Sequence, residues 1–195
     1  MRPLKVAGLD LSTAATALAS THDKNGVPFL SVFTIPGTAV RPLHEQIAVI
    51  EKVVRRQLGG PSPWPDLVMI EGTFTRMSGS DYPLHALHAN LKQWLWRQGV
   101  PYVDVSPSTL KVWATGSGAT RGVNKVTKDK VVEAILSTYG SHLLINPRDD
   151  NQCDAVALLT MGLSKYGQGL AEVSKNHRRA LSDLTWPALD LSEAA

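Results

Sequence analysis

With 195 residues, 43% of them hydrophobic and 19% charged, the chain has the composition of a globular protein with one sizeable core, and two full domains would be a squeeze. No apolar run approaches the roughly 20 residues of a membrane-spanning helix, and the single Cys153 excludes an intramolecular disulfide, as suits a reducing cytoplasm. The net charge of +3 and the pI of about 9.1 are only mildly basic, so the placement of the charges decides whether nucleic acid is a partner.

Arg2 and Lys5 ahead of an apolar stretch, with Ala17, Leu18 and Ala19 as a cleavage-like site, imitate a secretion signal. Asp10, Ser12, Thr13 and Thr16 interrupt that stretch, which is therefore read as folded structure of a cytoplasmic protein. Residues 6–18 predict two strands joined by a tight Ser/Thr turn, with Asp10 set in the first. A carboxylate in an apolar strand costs on the order of 2–7 kcal/mol unless it is hydrogen-bonded, paired or bound to a cation. Capping the turn through Ser12 or Thr13 meets that need, and so does a cation. Asp23 to Gly26 is a turn signal and Phe29 to Ile35 alternates as a third strand, so the three strands form an antiparallel meander. From Pro42 a helix carries Leu43, Ile47, Ile50, Val54 and Leu58 on one face and stops at Gly59 and Gly60.

Pro61, Pro63 and Pro65 lead stiffly into Asp66 to Glu71, a continuous apolar run expected of a strand buried on both faces. It ends in a second carboxylate. After a polar loop over 72–81, a helix over 82–98 turns Leu84, Leu87, Leu91 and Trp94/Leu95 inward. His85 and His88 are read as surface residues of that helix, because no third ligand stands at metal spacing. Tyr102 to Val105 is a strand, and Ser106 with Pro107 caps and opens a helix carrying Lys111 and Trp113. A Gly/Thr/Asn loop over 115–127 precedes a helix over 128–139 with Val131, Val132, Ile135 and Leu136. The last long helix runs from about Asp149 to about Tyr166. Asp149 and Asp150 suit its N-terminal turn electrostatically, whereas Asp154 lies among Cys153, Ala155, Val156, Ala157 and Leu158, where solvation is hard to arrange. Residues 1–166 are read as the domain. Residues 167–195, with Lys175 to Arg179 and a sparse Leu181, Leu184, Trp186, Leu189 pattern, are an extension, either flexible or docked on a partner.

The order predicts an α/β fold with a five-stranded mixed sheet, three antiparallel strands and then two parallel ones, flanked by helices. Asp10, Glu71 and Asp154 fall on the first strand, at the end of the fourth and on the final helix. Ligands of such sheets gather at strand ends near a topological switch, where distant carboxylates can converge. Acidic oxygens suit Mg²⁺ or Mn²⁺, and two such ions about 3.5–4 Å apart support phosphodiester hydrolysis.

Four blocks in order, Gly8 to Ser12, Ile70 to Phe74, Ser106 to Lys111 with Thr115 to Gly118, and Asp150 to Ala155, resemble the RuvC family of Holliday-junction resolvases within the RNase H-like superfamily, above all its phage-type members. The resemblance spans residues 4–165. It implies an RNase H-like fold and a metal-dependent crossover junction endodeoxyribonuclease that uses two Mg²⁺ ions, replaceable by Mn²⁺, and no nucleotide cofactor. Asp10, Glu71 and Asp154 match the family's metal-binding acids. The fourth ligand position is Asn151 instead of an acid or His; Asn offers a neutral carbonyl, and Asp150, four positions before Asp154, points to nearly the same face. Lys111 and Lys128 match lysines that contact the scissile phosphate, and Phe74 an aromatic that stacks on bases at the crossover.

Charge placement agrees with DNA. Lys111, Arg121, Lys125, Lys128 and Lys130 face only Asp129 in the same stretch, a patch that tracks phosphates. Gly116 to Gly118 is not a Walker loop, since no Gly-Lys-Ser/Thr follows. An actin-type kinase needs two RNase H-like halves, which 195 residues do not hold. A nuclease for flaps or forks and a catalytically weakened junction-binding protein are the alternatives. Two symmetric cuts call for a homodimer, with Trp94, Leu95 and Trp96 on the 82–98 helix as its expected interface, and branched DNA, a four-way junction, as substrate.

Overall fold

The computed structural model describes residues 2–24, 27–37, 42–59, 64–73 and 82–192. Its elements are β1 (Val6–Asp10), β2 (Ala15–Lys24), β3 (Val27–Pro36), α1 (Leu43–Leu58), β4 (Leu67–Glu71), α2 (Tyr82–Arg97), β5 (Tyr102–Val105), α3 (Pro107–Thr115), α4 (Lys128–Tyr139), α5 (Asp150–Lys165) and α6 (Lys175–Ser182). The five strands form one sheet in the order β3-β2-β1-β4-β5. β1, β2 and β3 pair antiparallel, while β4 lies parallel to both β1 and β5. This is the mixed sheet that the element order predicts.

β1 and β4 are central and buried on both sides, so each is apolar throughout until its last residue, an acid. Side chains alternate across a strand. Ala7, Leu9, Val68 and Ile70 join the core beneath α1 and α2. Val6, Leu67 and Met69 join the larger core with α3, α4 and α5. Counting on by twos puts Asp10 and Glu71 on the α5 side of the sheet.

α5 is buried almost all round, from Gln152 to Leu163, which marks a central helix enclosed by other elements. It lies so close to β1 that a Cβ on Gly8 would stand 2.1 Å from the Ala155 carbonyl oxygen and 2.6 Å from the Leu159 nitrogen. Only glycine permits that approach, and it sets the distance between Asp10 and Asp154. α3 is capped by Ser106, whose Oγ accepts from the Thr109 amide at 3.1 Å, with Pro107 in the first turn and Gly116 at φ 72° ending the helix. The Trp113 indole donates to Thr160 Oγ1 of α5 at 3.0 Å, clamping α3 onto it.

Three features depart from the expectations. His88 is buried, at 4% exposure, not a surface residue; burial beside Leu87 and Leu91 pushes its imidazole down to about 4, so it is neutral in the fold. Of the expected dimer trio, Leu95 is core and Trp94 packs edge-on to Trp64 under the Arg55 guanidinium, leaving Trp96 as the exposed member at 73%. Residues 167–192 fold back on their own chain. Ala180 of α6 joins the core, Leu181, Leu184, Trp186 and Leu189 pack against it, and the Tyr166 hydroxyl donates to the Pro187 carbonyl at 2.7 Å.

Candidate metal centre

At the C-terminal ends of the parallel pair β1 and β4, Asp10 and Glu71 meet Asp154 from the second turn of α5. One carboxylate oxygen from each lies within 4.8 Å of the others. The three sit in a cleft of about 270 Å³ lined also by Pro107, Leu110, Lys111, Lys128, Asp150 and Asn151. Asp10 is only 7% exposed. The turn after it does not use its carboxylate: Ser12 Oγ accepts the Ala14 amide at 3.1 Å, and Thr16 Oγ1 donates to the Ser12 carbonyl at 2.6 Å. Of the two explanations open for Asp10, the turn cap is thus filled by Ser12 and Thr16.

Burial and mutual repulsion raise all three acids. Burial, then the Glu71 charge, pushes Asp10 up to about 8. Burial and the neighbouring Asp154 push Glu71 to about 7, and burial with Asp10 pushes Asp154 to about 7. Lys128 opposes each shift without cancelling it. Three hard carboxylates that repel one another so closely form a donor set suited to Mg²⁺ or Mn²⁺, since a divalent cation removes the repulsion that the fold otherwise holds.

Asp149, not Asp150, caps α5, accepting the Gln152 amide at 3.3 Å. Thr34 of β3 donates to the same carboxylate, the Gln152 side-chain amide donates to Thr34 Oγ1 at 3.2 Å, and the Asn146 amide donates to Gln152 Oε1 at 2.9 Å. This knot pins the start of α5 to the sheet and thereby fixes the height of Asp154. Sequence reasoning missed Thr34, whose partners Asp149 and Gln152 lie over a hundred residues away with no local signal, and Gln152, whose place three residues after Asp149 is the capping-box spacing that could have found it. Asp150 instead forms an ion pair with Lys128 at the first residue of α4. That hydrogen bond holds the Asp150 carboxyl below its usual range and raises Lys128. Asn151 lines the same cleft, half-buried, and Lys111 reaches it from α3.

Arg121 and Lys125 are exposed on the loop between α3 and α4 and stand outside the cleft lining. Phe74 lies outside the described residues.

No family model matches the chain. It is 31% identical over 98 residues to the crossover junction endodeoxyribonuclease RuvC of Gloeobacter violaceus, a match covering 50% of this chain and 52% of that protein. The chain thus spans about half the length of the curated relative it matches. Two structures of Thermus thermophilus RuvC, one in complex with a Holliday junction substrate, superpose with a TM-score of 0.59 at 18% identity, over 85% of this chain and 98% of theirs. The chain is therefore similar to RuvC in sequence over about half its length, and it has the RNase H-like fold that RuvC has.

Proposed function

We propose that this chain is a metal-dependent endodeoxyribonuclease that resolves Holliday junctions by paired symmetric nicks. The observation that carries the reading is the meeting of Asp10, Glu71 and Asp154 at one strand-end cleft with Lys111 and Lys128 on its walls, in a fold shared with a protein solved on a Holliday junction. Asp10, Glu71 and Asp154 would hold two Mg²⁺ or Mn²⁺ ions, with Asn151 as a neutral carbonyl donor and Asp150 beside them. Bound there, such ions lower the pKa of a water and stabilise the leaving oxygen of an in-line displacement. Lys111 neutralises the phosphate from the α3 side. Lys128, positioned by Asp150, does so from the α4 side. Phe74, Arg121 and Lys125 serve as further DNA-binding residues, and Trp96 lies in the interface of a homodimer.

The test is a panel of labelled substrates of equal length, a four-way junction, a flap, a fork and a linear duplex, incubated with Mg²⁺ or with EDTA. The expected result is Mg²⁺-dependent paired nicks on the junction, absent with Asp10→Asn. Preference for flaps or forks would reassign the substrate, and no Mg²⁺- or Mn²⁺-dependent nicking at all would refute the nuclease. Asn151 favours one second reading, a junction-binding protein with weakened catalysis, in which tight junction binding accompanies little cleavage.

A further inference from the structure

α6 has no place in the proposed chemistry, yet its charges are arranged in one direction. At 100° per residue, Lys175, Arg178 and Arg179 fall within an arc of about 100°. Ala180 and His177 point to the other side. Ala180 is buried in the core, and His177 lies against Gly116, with its Cε1 3.2 Å from where a glycine Cβ would stand. All three cations are exposed. Among the described residues none of them is ion-paired; Glu172 and Asp183 flank the helix without engaging them.

Lys175 is unfavourably placed within α6 for folding alone, whereas Arg179 stands in the last turn, where a cation suits the helix dipole. The first turn holds Lys175 and no acid, at the helix end where the backbone dipole disfavours a cation. The Ser174 hydroxyl is engaged with His177 Nδ1 at 2.8 Å, and its side chain caps no backbone amide. A local rule broken without gain to the fold points to a use outside it.

The surroundings indicate that use. α6 is seated at Gly116, the residue where α3, which carries Lys111, passes into the loop bearing Arg121 and Lys125. α6 thus brings three exposed cations to the root of that positive loop. From Lys175 to Arg179 the helix axis advances about 6 Å, a length over which duplex DNA carries about three phosphates counting both strands and about two on either strand alone.

We infer that α6 is a second DNA-backbone contact, in which Lys175, Arg178 and Arg179 grip the phosphates of a duplex arm leaving the cleavage site. This rests on the proposed nuclease reading and adds to it a surface that does no chemistry. The contact reads charge, not sequence, and Arg or Lys serves equally.

The test compares the full chain with a triple variant Lys175→Gln, Arg178→Gln, Arg179→Gln and a second variant Arg178→Lys, Arg179→Lys. Binding to a fluorescent four-way junction is followed by anisotropy from 50 to 200 mM salt in Ca²⁺, and cleavage is measured separately at saturating protein in Mg²⁺. Each lost phosphate contact lowers the slope of log K against log salt by about 0.9, so the triple variant should lose two to three units of slope. It should also bind about tenfold or more weakly at 100 mM salt, with Tm and saturated cleavage unchanged. The Arg→Lys variant should keep the wild-type slope. An unchanged slope in the triple variant, or loss of slope in the Lys variant, overturns the α6 contact while leaving the nuclease intact. Wild-type protein that binds no branched DNA overturns the nuclease reading and this contact together.

Discussion

Replacing Asp10 with Asn should stabilise the metal-free protein at alkaline pH while abolishing its chemistry. The folded-state Asp10 carboxyl is raised from 3.8 to about 8, chiefly by burial and by Glu71. A carboxyl raised by folding contributes stability that is fully present below about pH 3.8 and is lost as pH climbs through 8. At about 1.4 kcal/mol per pH unit, a single such group would remove about 4 kcal/mol between pH 5 and pH 8. Asp10, Glu71 and Asp154 titrate as one cluster, so removing one charge should restore about 2–4 kcal/mol at pH 8. For a chain of this size that corresponds to a Tm rise of about 5–15 °C. Differential scanning fluorimetry in EDTA should show the variant well above wild type at pH 8 and nearly level with it at pH 5. Adding Mg²⁺ at pH 8 should lift the wild-type Tm and leave the variant almost unmoved. A variant that melts lower than wild type by the same amount at both pH values would refute the reasoning, because Asp10 would then be a structural acceptor in place of a held-back charge.

Gly8→Ala should separate β1 from α5, since the new methyl would stand 2.1 Å from the Ala155 carbonyl; overpacking of about 1–3 kcal/mol predicts a Tm loss of about 2–12 °C and a weaker Mg²⁺-induced Tm rise. Asn151→Asp should lower the Mg²⁺ concentration for half-maximal nicking, whereas Asp150→Asn, which frees Lys128, should reduce nicking far less than Asp154→Asn does. If Asp150→Asn is as inactive as Asp154→Asn and Asn151→Asp changes nothing, Asp150 is the fourth ligand. Trp96→Ala should weaken self-association by about 30-fold if the exposed indole anchors the dimer at about 2 kcal/mol, read by sedimentation equilibrium; an unaltered mass distribution would remove Trp96 from the interface.

Much of the site was legible because its acids contradict their surroundings. Asp10 and Glu71 end apolar strands and Asp154 interrupts an apolar helix, and burial of a charge needs a partner whatever the fold. Period-2 alternation then dictates that Asp10 shares a face with Val6, and Glu71 with Met69, once both are strands. The five-stranded order followed from short turns in the first half and apolar runs between helices in the second.

What only the tertiary structure decided concerns partners brought together across the chain. Asp149, Asp150 and Asn151 are consecutive polar residues at the start of the helix, and their order alone does not say which of them caps it. The approach of Thr34 makes Asp149 the cap, and the approach of Lys128 claims Asp150. His88 was read as a polar surface residue, although it stands four residues after Leu84 and three before Leu91 on the inner stripe, and it is buried because α2 packs that stripe against the sheet. The weak apolar pattern after Gly167 did not by itself specify a helix. α6 forms because the surface of α3 accepts Ala180 and Leu181, and marginal local propensity yields to burial. Local chemistry thus determined which residues had to be satisfied, and the packing of α3, α4 and α5 on the sheet decided which of the available partners satisfied them.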